Sequence, residues 1–301
     1  MSALPLLLNT AARSARGKAL RAWLARQPGR FEIIEPSDPE DMTRQAARLA
    51  AEGCPVVAVA GGDGTLGRAA RGLADTMSAL AIIPSGTMNV FARELGIGSH
   101  GFSQALAAID SGATAQVDLF RAGDALFMQM AGFGPDARAV ELVSPGVKRL
   151  CGGLAYGISG LRLCVEPADR LTLRWDRGRR CSGKAVLIGN GRFYGGSYPL
   201  FGAARSGDGL MDVIVFHGGL SSMLWQIARA WRTGGILPDG DGSYTYVQTA
   251  ACTLESEKGT PFEIDGDFAG RLPAGGHIDL SKLPGALRVC VPPPLTGSPA
   301  A

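Results

Sequence analysis

The amino-acid sequence predicts an α/β protein with two domains, in which a doubly wound N-terminal domain precedes a mainly antiparallel β-sandwich domain. Up to about residue 122, short apolar runs alternate with segments of helical periodicity, which is typical of a parallel sheet flanked by helices. From about residue 123, short strand-like runs separated by Gly, Asp and Ser turns dominate, which favours antiparallel sheets. The chain of 301 residues is long enough for one large or two medium-sized domains.

The first domain is predicted to contain four buried parallel strands. Continuous apolar runs without alternation indicate strands that are covered on both faces. These runs cover residues 6–8, 31–34, 56–60 and 80–84, and the helical segments cover about 16–27, 38–52, 65–76 and 88–95. Because ligands of such sheets bind beyond the carboxyl ends of the strands, the residues that follow each strand are the candidate site.

The second domain is predicted to span residues 123–295, with a return of the C-terminal tail to the first domain left open. Its strand-like runs are 125–131, 171–175, 183–189, 210–216, 245–247, 251–255, 261–264 and 286–291, interrupted by helical stretches near 147–163 and 220–233. The apolar stripe of the 220–233 helix is compatible with contact to a membrane surface. Packing on the protein's own core is the favoured interpretation of that stripe.

Composition and charge exclude several classes of protein. Glycine is abundant at 43 residues, but no collagen-like period runs through the sequence. The formal net charge of +3 is too balanced for a nucleic-acid-binding protein. The six cysteines form no CxxC pair, and no apolar stretch reaches the length of a membrane span. We therefore expect a cytoplasmic protein, with peripheral attachment to the inner face of the membrane left open.

Two glycine-rich loops follow neighbouring predicted strands. The first glycine loop, Gly61-Gly62-Asp63-Gly64-Thr65, joins the 56–60 strand to a helix, and the second, Ser85-Gly86-Thr87-Met88-Asn89, follows the 80–84 strand. Glycine lets the backbone approach a phosphate, and Thr65 is able to cap the helix or to bind an oxygen. Taken alone, the first loop is equally compatible with a tight turn in which Asp63 is a turn former. The pair of loops favours one crevice that binds nucleotide phosphates.

These loops carry a family resemblance. The first glycine loop and Pro84-Ser85-Gly86-Thr87-Met88-Asn89-Val90-Phe91-Ala92-Arg93 resemble the diacylglycerol kinase catalytic-domain family, which includes bacterial lipid kinases, sphingosine kinases and ceramide kinases. GGDGT is shared with NAD kinases and phosphofructokinases, whereas the PxGTxN and GNGxxxGG blocks are more specific. The resemblance continues in the expected order through residues 117–119, 133–137, 148–156, 188–196, 208–212 and 264–267.

The resemblance implies ATP and Mg²⁺ as cofactors, bound in an active site in the cleft between the domains. The residues that match the family's nucleotide-binding positions are Asn9, Gly61, Gly62, Gly64, Thr65, Gly86, Thr87 and Asn89. Thr10 replaces the proline that usually follows the asparagine. Val90 replaces an acidic residue that helps to organise Mg²⁺ in many bacterial members.

Two carboxylates match the family's catalytic positions, Asp63 and Asp267. A hydroxyl acceptor must lose its proton, which a carboxylate within hydrogen-bond reach is able to take. Asp267 stands where the family usually has Glu, and its side chain is one methylene shorter. From the residues alone, Asp265-Gly266-Asp267 is equally well explained as a hairpin turn, because Asp-Gly after a strand is a strong turn signal.

The resemblance also implies a structural cation site at Asp208 and at the backbone carbonyls of Arg205 and Leu210. Hard cations prefer such oxygen ligands. Family members often carry a second acidic residue where this chain has Gly207. A simple turn before the 210–216 strand is an equally supported interpretation of this segment.

The function that the resemblance implies is ATP-dependent phosphorylation of a lipid hydroxyl, on a diacylglycerol-type or a sphingoid- or ceramide-type lipid. Its partners would be ATP and a membrane lipid, without nucleic acid, and a homodimer is left open. One alternative is an NAD kinase-like enzyme that phosphorylates a soluble nucleotide. The other is a nucleotide- or lipid-binding regulator without catalysis, which Val90 and Asp267 would favour.

Overall fold

The computed structural model describes residues 3–9, 15–98, 102–142, 169–238, 241–283 and 287–293. Contacts divide the chain into two compact units, and each is described by itself. Unit 1 comprises Met1–Val117 with Pro284–Ala301, and unit 2 comprises Asp118–Leu283. The helix predicted near 147–163 and the part of the resemblance at 148–156 lie outside the described residues.

Unit 1 is built on a six-stranded sheet with helices between its strands. The strand order is β2-β1-β3-β4-β20-β5, and every pair is parallel except β20 with β5. The four runs predicted as parallel strands form β1, β2, β3 and β4. The prediction that all four are buried was wrong for β2, which lies at the edge of the sheet and leaves Ile33 49% exposed. The elements are β1 (Leu4–Leu8), α1 (Ala15–Leu24), β2 (Phe31–Ile34), α2 (Pro39–Ala51), β3 (Val56–Gly61), α3 (Asp63–Leu73), β4 (Ala79–Pro84), α4 (Val90–Glu94), α5 (Ser103–Ser111), β5 (Thr114–Val117) and β20 (Leu287–Cys290).

The strand β20 belongs to the sheet of unit 1, although the sequence pattern grouped it with the antiparallel runs of the second half. It pairs in parallel with β4 and antiparallel with β5. Leu287 and Val289 are fully buried there. An apolar run shows that a strand is buried but not which sheet it enters, because that choice depends on pairing with residues distant in sequence.

The described part of unit 2 contains two six-stranded antiparallel sheets and a two-stranded sheet formed by Phe193–Tyr194 and Tyr198–Pro199. The first has the order β10-β9-β16-β19-β6-β7, and the second has the order β15-β14-β11-β8-β17-β18. Leu173 and Leu254 from the first sheet share a buried core with Phe133 and Ile188 from the second, as in a β-sandwich. The strands are β6 (Phe120–Ala122), β7 (Ala125–Phe127), β8 (Met130–Phe133), β9 (Leu171–Trp175), β10 (Arg179–Gly183), β11 (Ala185–Gly189), β12 (Phe193–Tyr194), β13 (Tyr198–Pro199), β14 (Met211–Phe216), β15 (Tyr244–Thr249), β16 (Ala251–Ser256), β17 (Thr260–Ile264), β18 (Asp267–Leu272) and β19 (His277–Lys282), with helices α6 (Pro135–Leu142) and α7 (Leu220–Thr233).

The run at 125–131, predicted as one strand, is two strands in different sheets. The chain leaves β7 of the first sheet and enters β8 of the second at Met128 and Gln129. The carboxylate of Asp265 accepts hydrogen bonds from the backbone N–H groups of Met128, Gln129 and Met130 at 2.8–3.0 Å. The prediction of a continuous strand was wrong because the chain changes sheets at Met128 and Gln129. There the Asp265 carboxylate binds the backbone N–H groups in place of a neighbouring strand.

Helix α7 confirms the predicted 220–233 helix but corrects the expectation for its apolar stripe. Met223 and Ala230 are buried against the outer face of the second sheet, so part of the helix packs on the core. Leu224 and Trp231 from the same stripe are 49% and 63% exposed, and the neighbouring Trp225 is 69% exposed. Packing on the protein's own core therefore does not account for the whole stripe.

The described cysteines are free thiols. Cys252 and Cys290 are buried, and Cys54 and Cys181 are half-buried; the other two cysteines lie outside the described residues. Within the part of the chain that the structure describes, no helix combines the length and apolar character that a membrane span requires.

Candidate active site

The first glycine loop is a sharp connection between β3 and α3. Gly62 lies at the N-cap of α3, and the helix begins at Asp63, so that Gly64 and Thr65 are in its first turn. The hydroxyl of Thr65 accepts a hydrogen bond from the Asn9 side chain at 2.8 Å. Thr65 is therefore not the helix cap, as the sequence had allowed, but the residue that links this loop to the end of β1. The first N–H groups of any α-helix lack partners within the helix and favour an anion.

The second glycine loop is closed by the side chain of Asn89. This residue has a left-handed backbone (φ 49°, ψ 50°) and is 1% exposed. Its side-chain oxygen accepts a hydrogen bond from the Gly86 N–H at 2.9 Å, and its amide nitrogen donates to the Gly86 carbonyl at 2.8 Å. Thr87 is exposed on this loop. Asn89 thus fixes the shape of the loop, and α4 begins only at Val90.

The two glycine loops lie in direct contact. Gly61 pairs with Pro84 at the ends of β3 and β4, and the Ser85 N–H donates to the Gly61 carbonyl at 3.0 Å. A Cβ atom on Gly86 would lie 2.4 Å from the Cα of Gly62. The convergence that the sequence predicted is confirmed, and glycine is needed here because two backbones approach too closely for a side chain.

Asp63 connects the first glycine loop to α4. Its carboxylate accepts a hydrogen bond from the Phe91 N–H at 3.1 Å. Burial raises the pKa of this carboxyl, and the N–H groups of Phe91 and Val90 oppose that rise. Val90 is itself buried. Asp63 therefore has a structural role as well as a raised pKa, and a pKa nearer to neutrality suits a general base.

Arg16 is a basic residue of this site that the sequence patterns did not single out. Its guanidinium donates to the Gly86 carbonyl at 2.6 Å. The residue lies at the start of α1, beyond the carboxyl end of β1. That position was the available signal, since ligands of parallel sheets bind at this end of the strands. Arg16 places a positive charge at the second glycine loop.

In unit 2, Asp267 is held at the start of β18 by a two-residue hairpin. Asp265 and Gly266 have φ values of 50° and 85°, and Ile264 pairs with Asp267. This arrangement confirms the hairpin that the Asp-Gly pair indicates. The Asp267 side chain is exposed. Asp63 lies in unit 1, so the meeting of the two carboxylates in one cleft stays a prediction.

A buried carboxyl pair supports this hairpin. The Glu263 carboxylate accepts a hydrogen bond from the Gly266 N–H at 2.7 Å, and Glu263 also shares a hydrogen bond with Asp136. The Tyr194 hydroxyl donates to Asp136 at 2.5 Å. Burial raises the pKa of Asp136, and the hydrogen bonds with Tyr194 and Glu263 oppose that rise. Sequence reasoning did not identify Glu263, because nothing local distinguishes it from a solvent-facing strand residue.

The residues implied as ligands of a structural cation, Arg205, Asp208 and Leu210, make hydrogen bonds with one another. The Asp208 carboxylate accepts from the Leu210 N–H at 3.0 Å, and its own N–H donates to the Arg205 carbonyl at 3.3 Å. This is the turn that the alternative interpretation describes. The ammonium nitrogen of Lys282 lies 3.0 Å from where a Cβ on Gly209 would be. A positive charge this close to the loop disfavours a divalent cation, and the cation site itself stays a prediction.

The glycine loops, by contrast, fit the phosphates of a nucleotide. Bare backbone at Gly62 and Gly86, the first turn of α3 and the Arg16 guanidinium lie together in unit 1. Such a set binds anions through main-chain N–H groups and positive charge. The described residues contain no cluster of three His, Cys, Asp or Glu side chains able to hold a metal.

Replacing Gly86 with alanine tests whether the contact between the loops creates the site. The new Cβ would force the loops apart, and overpacking of this kind costs about 1–3 kcal/mol. We expect Gly86→Ala to weaken ATP binding by about 5- to 150-fold, measured by isothermal titration calorimetry. Gly219→Ala is the control, because a Cβ there meets nothing within 4 Å. Wild-type affinity in Gly86→Ala would contradict the assignment.

Two family models match the chain, one in each half. Residues 6–122 match the model described as the diacylglycerol kinase catalytic domain. Residues 129–291 match the model described as the YegS C-terminal NAD kinase beta sandwich-like domain. The first match includes both glycine loops, and the second includes the hairpin that precedes Asp267.

Two curated relatives that share one name align with this chain over most of their length. A protein of Pseudomonas aeruginosa named probable lipid kinase YegS-like is 31% identical over 98% of this chain and 95% of its own. A protein of the same name from Pseudomonas putida is 32% identical over 80% of this chain and 82% of its own.

Solved structures share the fold. A diacylglycerol kinase structure from Bacillus anthracis matches with a TM-score of 0.71 and 21% identity, covering 97% of each chain. A yeast NADH kinase structure matches with a TM-score of 0.53 and 8% identity, covering 97% of this chain and 84% of its own. At such identities these structures bear on the fold alone. The two family models and the curated relatives show that this chain belongs to the diacylglycerol kinase catalytic-domain family, with a YegS-type C-terminal β-sandwich domain.

Proposed function

We propose that the protein is a lipid kinase that transfers the γ-phosphate of ATP to a lipid hydroxyl. The observation that carries the proposal is the contact between the two glycine loops, with Gly62 and Gly86 facing each other without side chains. Family membership supplies the lipid class of the acceptor. Within that class, diacylglycerol-type and sphingoid- or ceramide-type lipids are the two candidates.

The chain's part in nucleotide binding is electrostatic. Main-chain N–H groups at the start of α3 and in the second glycine loop would face the phosphates, and Arg16 would add a positive charge. Asn9 and Asn89 would act indirectly, by holding the loop residues Thr65 and Gly86 in place through hydrogen bonds. In phosphoryl transfer, such positioning and charge stabilisation supply most of the catalysis. Mg²⁺ bound to the phosphates would neutralise further charge on the transferred group.

A carboxylate must accept the proton of the lipid hydroxyl. Asp267 is the proposed general base, because its exposed side chain follows a rigid two-residue hairpin. The carboxyl pair of Glu263 and Asp136 would hold that hairpin in register. Asp63 is the second candidate: its raised pKa favours the role, and its hydrogen bond to Phe91 ties it to the nucleotide loops.

The function is tested by supplying labelled ATP with diacylglycerol, ceramide, sphingosine or NAD as the acceptor. We expect a phosphorylated lipid product with at least one of the three lipids and none with NAD. Phosphorylation of NAD alone would favour the alternative of a soluble-nucleotide kinase. The absence of any product, from protein that binds ATP, would favour a non-catalytic regulator and reject the proposal.

Substitutions at Asp267 separate charge from position. Asp267→Asn removes the base, and a positioned base contributes about 10²–10⁴-fold to the rate, so we expect kcat to fall within that range. Asp267→Glu is the matched variant, since it keeps the charge and restores the side chain usual in the family. Activity close to wild type in Asp267→Asn would remove this residue from the mechanism.

Asp63→Asn provides the parallel measurement, because asparagine keeps an oxygen able to accept from the Phe91 N–H. If Asp63 is the base instead, the loss of kcat will appear in this variant and not in Asp267→Asn.

We also propose that the exposed face of α7 contacts the membrane in which the lipid substrate lies. Trp225, Trp231 and Leu224 are exposed on the helix, and the ring of Tyr198 packs edge-on against Trp231 at 5.4 Å. Tryptophan and tyrosine favour the boundary between water and lipid. Arg232, in the last turn, is exposed and would interact favourably with anionic headgroups.

The double substitution Trp225→Ala/Trp231→Ala tests this contact. We expect it to reduce co-sedimentation with vesicles of phosphatidylcholine and phosphatidylglycerol while leaving ATP binding unchanged. Met77→Ala is the control, because Met77 is an exposed apolar residue of unit 1. Equal sedimentation of the double variant and wild type would exclude α7 as the contact face.

A further inference from the structure

The loop of residues 205–210 is anchored by one buried aspartate. The Asp118 N–H donates to the Ser206 carbonyl at 2.7 Å, and the Gly209 N–H donates to the Asp118 carboxylate at 2.6 Å. The Asp118 side chain is only 3% exposed. A carboxylate buried to this extent stays charged at low cost only when a positive group or several hydrogen-bond donors pair with it.

Lys282 supplies that positive charge from the end of β19. Its ammonium nitrogen lies 2.7 Å from the second carboxylate oxygen of Asp118. The same nitrogen lies 3.0 Å from where a Cβ on Gly209 would be, next to the backbone of the loop. Gly209 has a φ of 83°, which favours glycine. The closeness of the ammonium leaves little room for a Cβ and favours glycine as well.

A divalent cation at this loop would lie beside a fixed positive charge. The family resemblance places such a cation on Asp208 and on the carbonyls of Arg205 and Leu210, and Gly209 lies between two of these residues. The acidic residue that family members often have at position 207 is glycine here. This chain therefore has one negative charge fewer and one positive charge more than a divalent site favours.

We propose that the ammonium of Lys282 takes the place of the structural divalent cation and, with Asp118, holds the 205–210 loop. The fold of unit 2 then needs no divalent cation. This inference concerns the stability of the loop and does not depend on whether the protein phosphorylates a lipid.

The test measures thermal unfolding in the absence of nucleotide, in EDTA and in millimolar MgCl₂ or CaCl₂. For wild type we expect the same Tm in all three, within about 1 °C, and no stoichiometric divalent metal after gel filtration. Lys282→Met leaves Asp118 without its cation, so we expect a Tm lowered by about 5 °C in EDTA. We expect Mg²⁺ or Ca²⁺ to restore most of that loss in this variant.

Two further variants serve as controls. Lys282→Arg keeps the charge and should unfold near the wild-type temperature without a response to divalent ions. Lys258→Met removes an exposed lysine of the same unit and should change neither the Tm nor the response.

Three outcomes would overturn the proposal. The first is one tightly bound divalent ion in wild type with a Tm that falls in EDTA. The second is a Lys282→Met protein as stable as wild type in EDTA, and the third is a destabilised Lys282→Met protein that no divalent ion restores. If Lys282→Met does not fold, the metal content of wild type and the response of Lys282→Arg decide the question.

Discussion

The close approach of the backbones at Gly62 and Gly86 is the constraint on which the proposed active site depends. The loops meet because β3 and β4 are parallel neighbours that end at the same level, where Gly61 pairs with Pro84. Side chains then fix the rest: Asn89 closes the second loop, and Asp63 binds the start of α4. The result is a surface of main-chain atoms without side chains beside the first turn of α3, which suits the phosphates of a nucleotide.

The sequence predicted those parts of the site that rest on local chemistry. Glycine after a buried strand indicates a tight turn toward a helix, and Asp-Gly after a strand indicates the hairpin at Asp265 and Gly266. The contacts of Arg16 and Glu263 were not predictable in this way. They arise from residues far apart in the chain. Arg16 was marked only by its place beyond the carboxyl end of β1, and Glu263 stands in no pattern that distinguishes it from a surface charge. The break at Met128 and Gln129 was missed for the same reason, since it depends on the carboxylate of Asp265 more than 130 residues away.

Family membership and local structure answer different questions at the 205–210 loop. The resemblance implies a cation at this loop, whereas the contacts of Asp118 with Lys282 and with the Gly209 N–H are the basis of our proposal that the chain's own ammonium takes its place. A similar distinction holds for α7: its periodicity predicted a helix correctly, but the pattern did not show that Leu224 and Trp231 remain exposed. Spacing shows which residues share a face, and only the packing shows which faces are covered.

A crystal structure of the chain with a non-hydrolysable ATP analogue tests the nucleotide site most sharply. We expect the triphosphate to lie against the two glycine loops, within hydrogen-bond distance of main-chain N–H groups of each loop other than those of Thr65 and Gly86, which donate within the protein. We also expect the Arg16 guanidinium to lie close to a phosphate oxygen. A triphosphate bound away from both loops would show that the glycine loops do not form the nucleotide site.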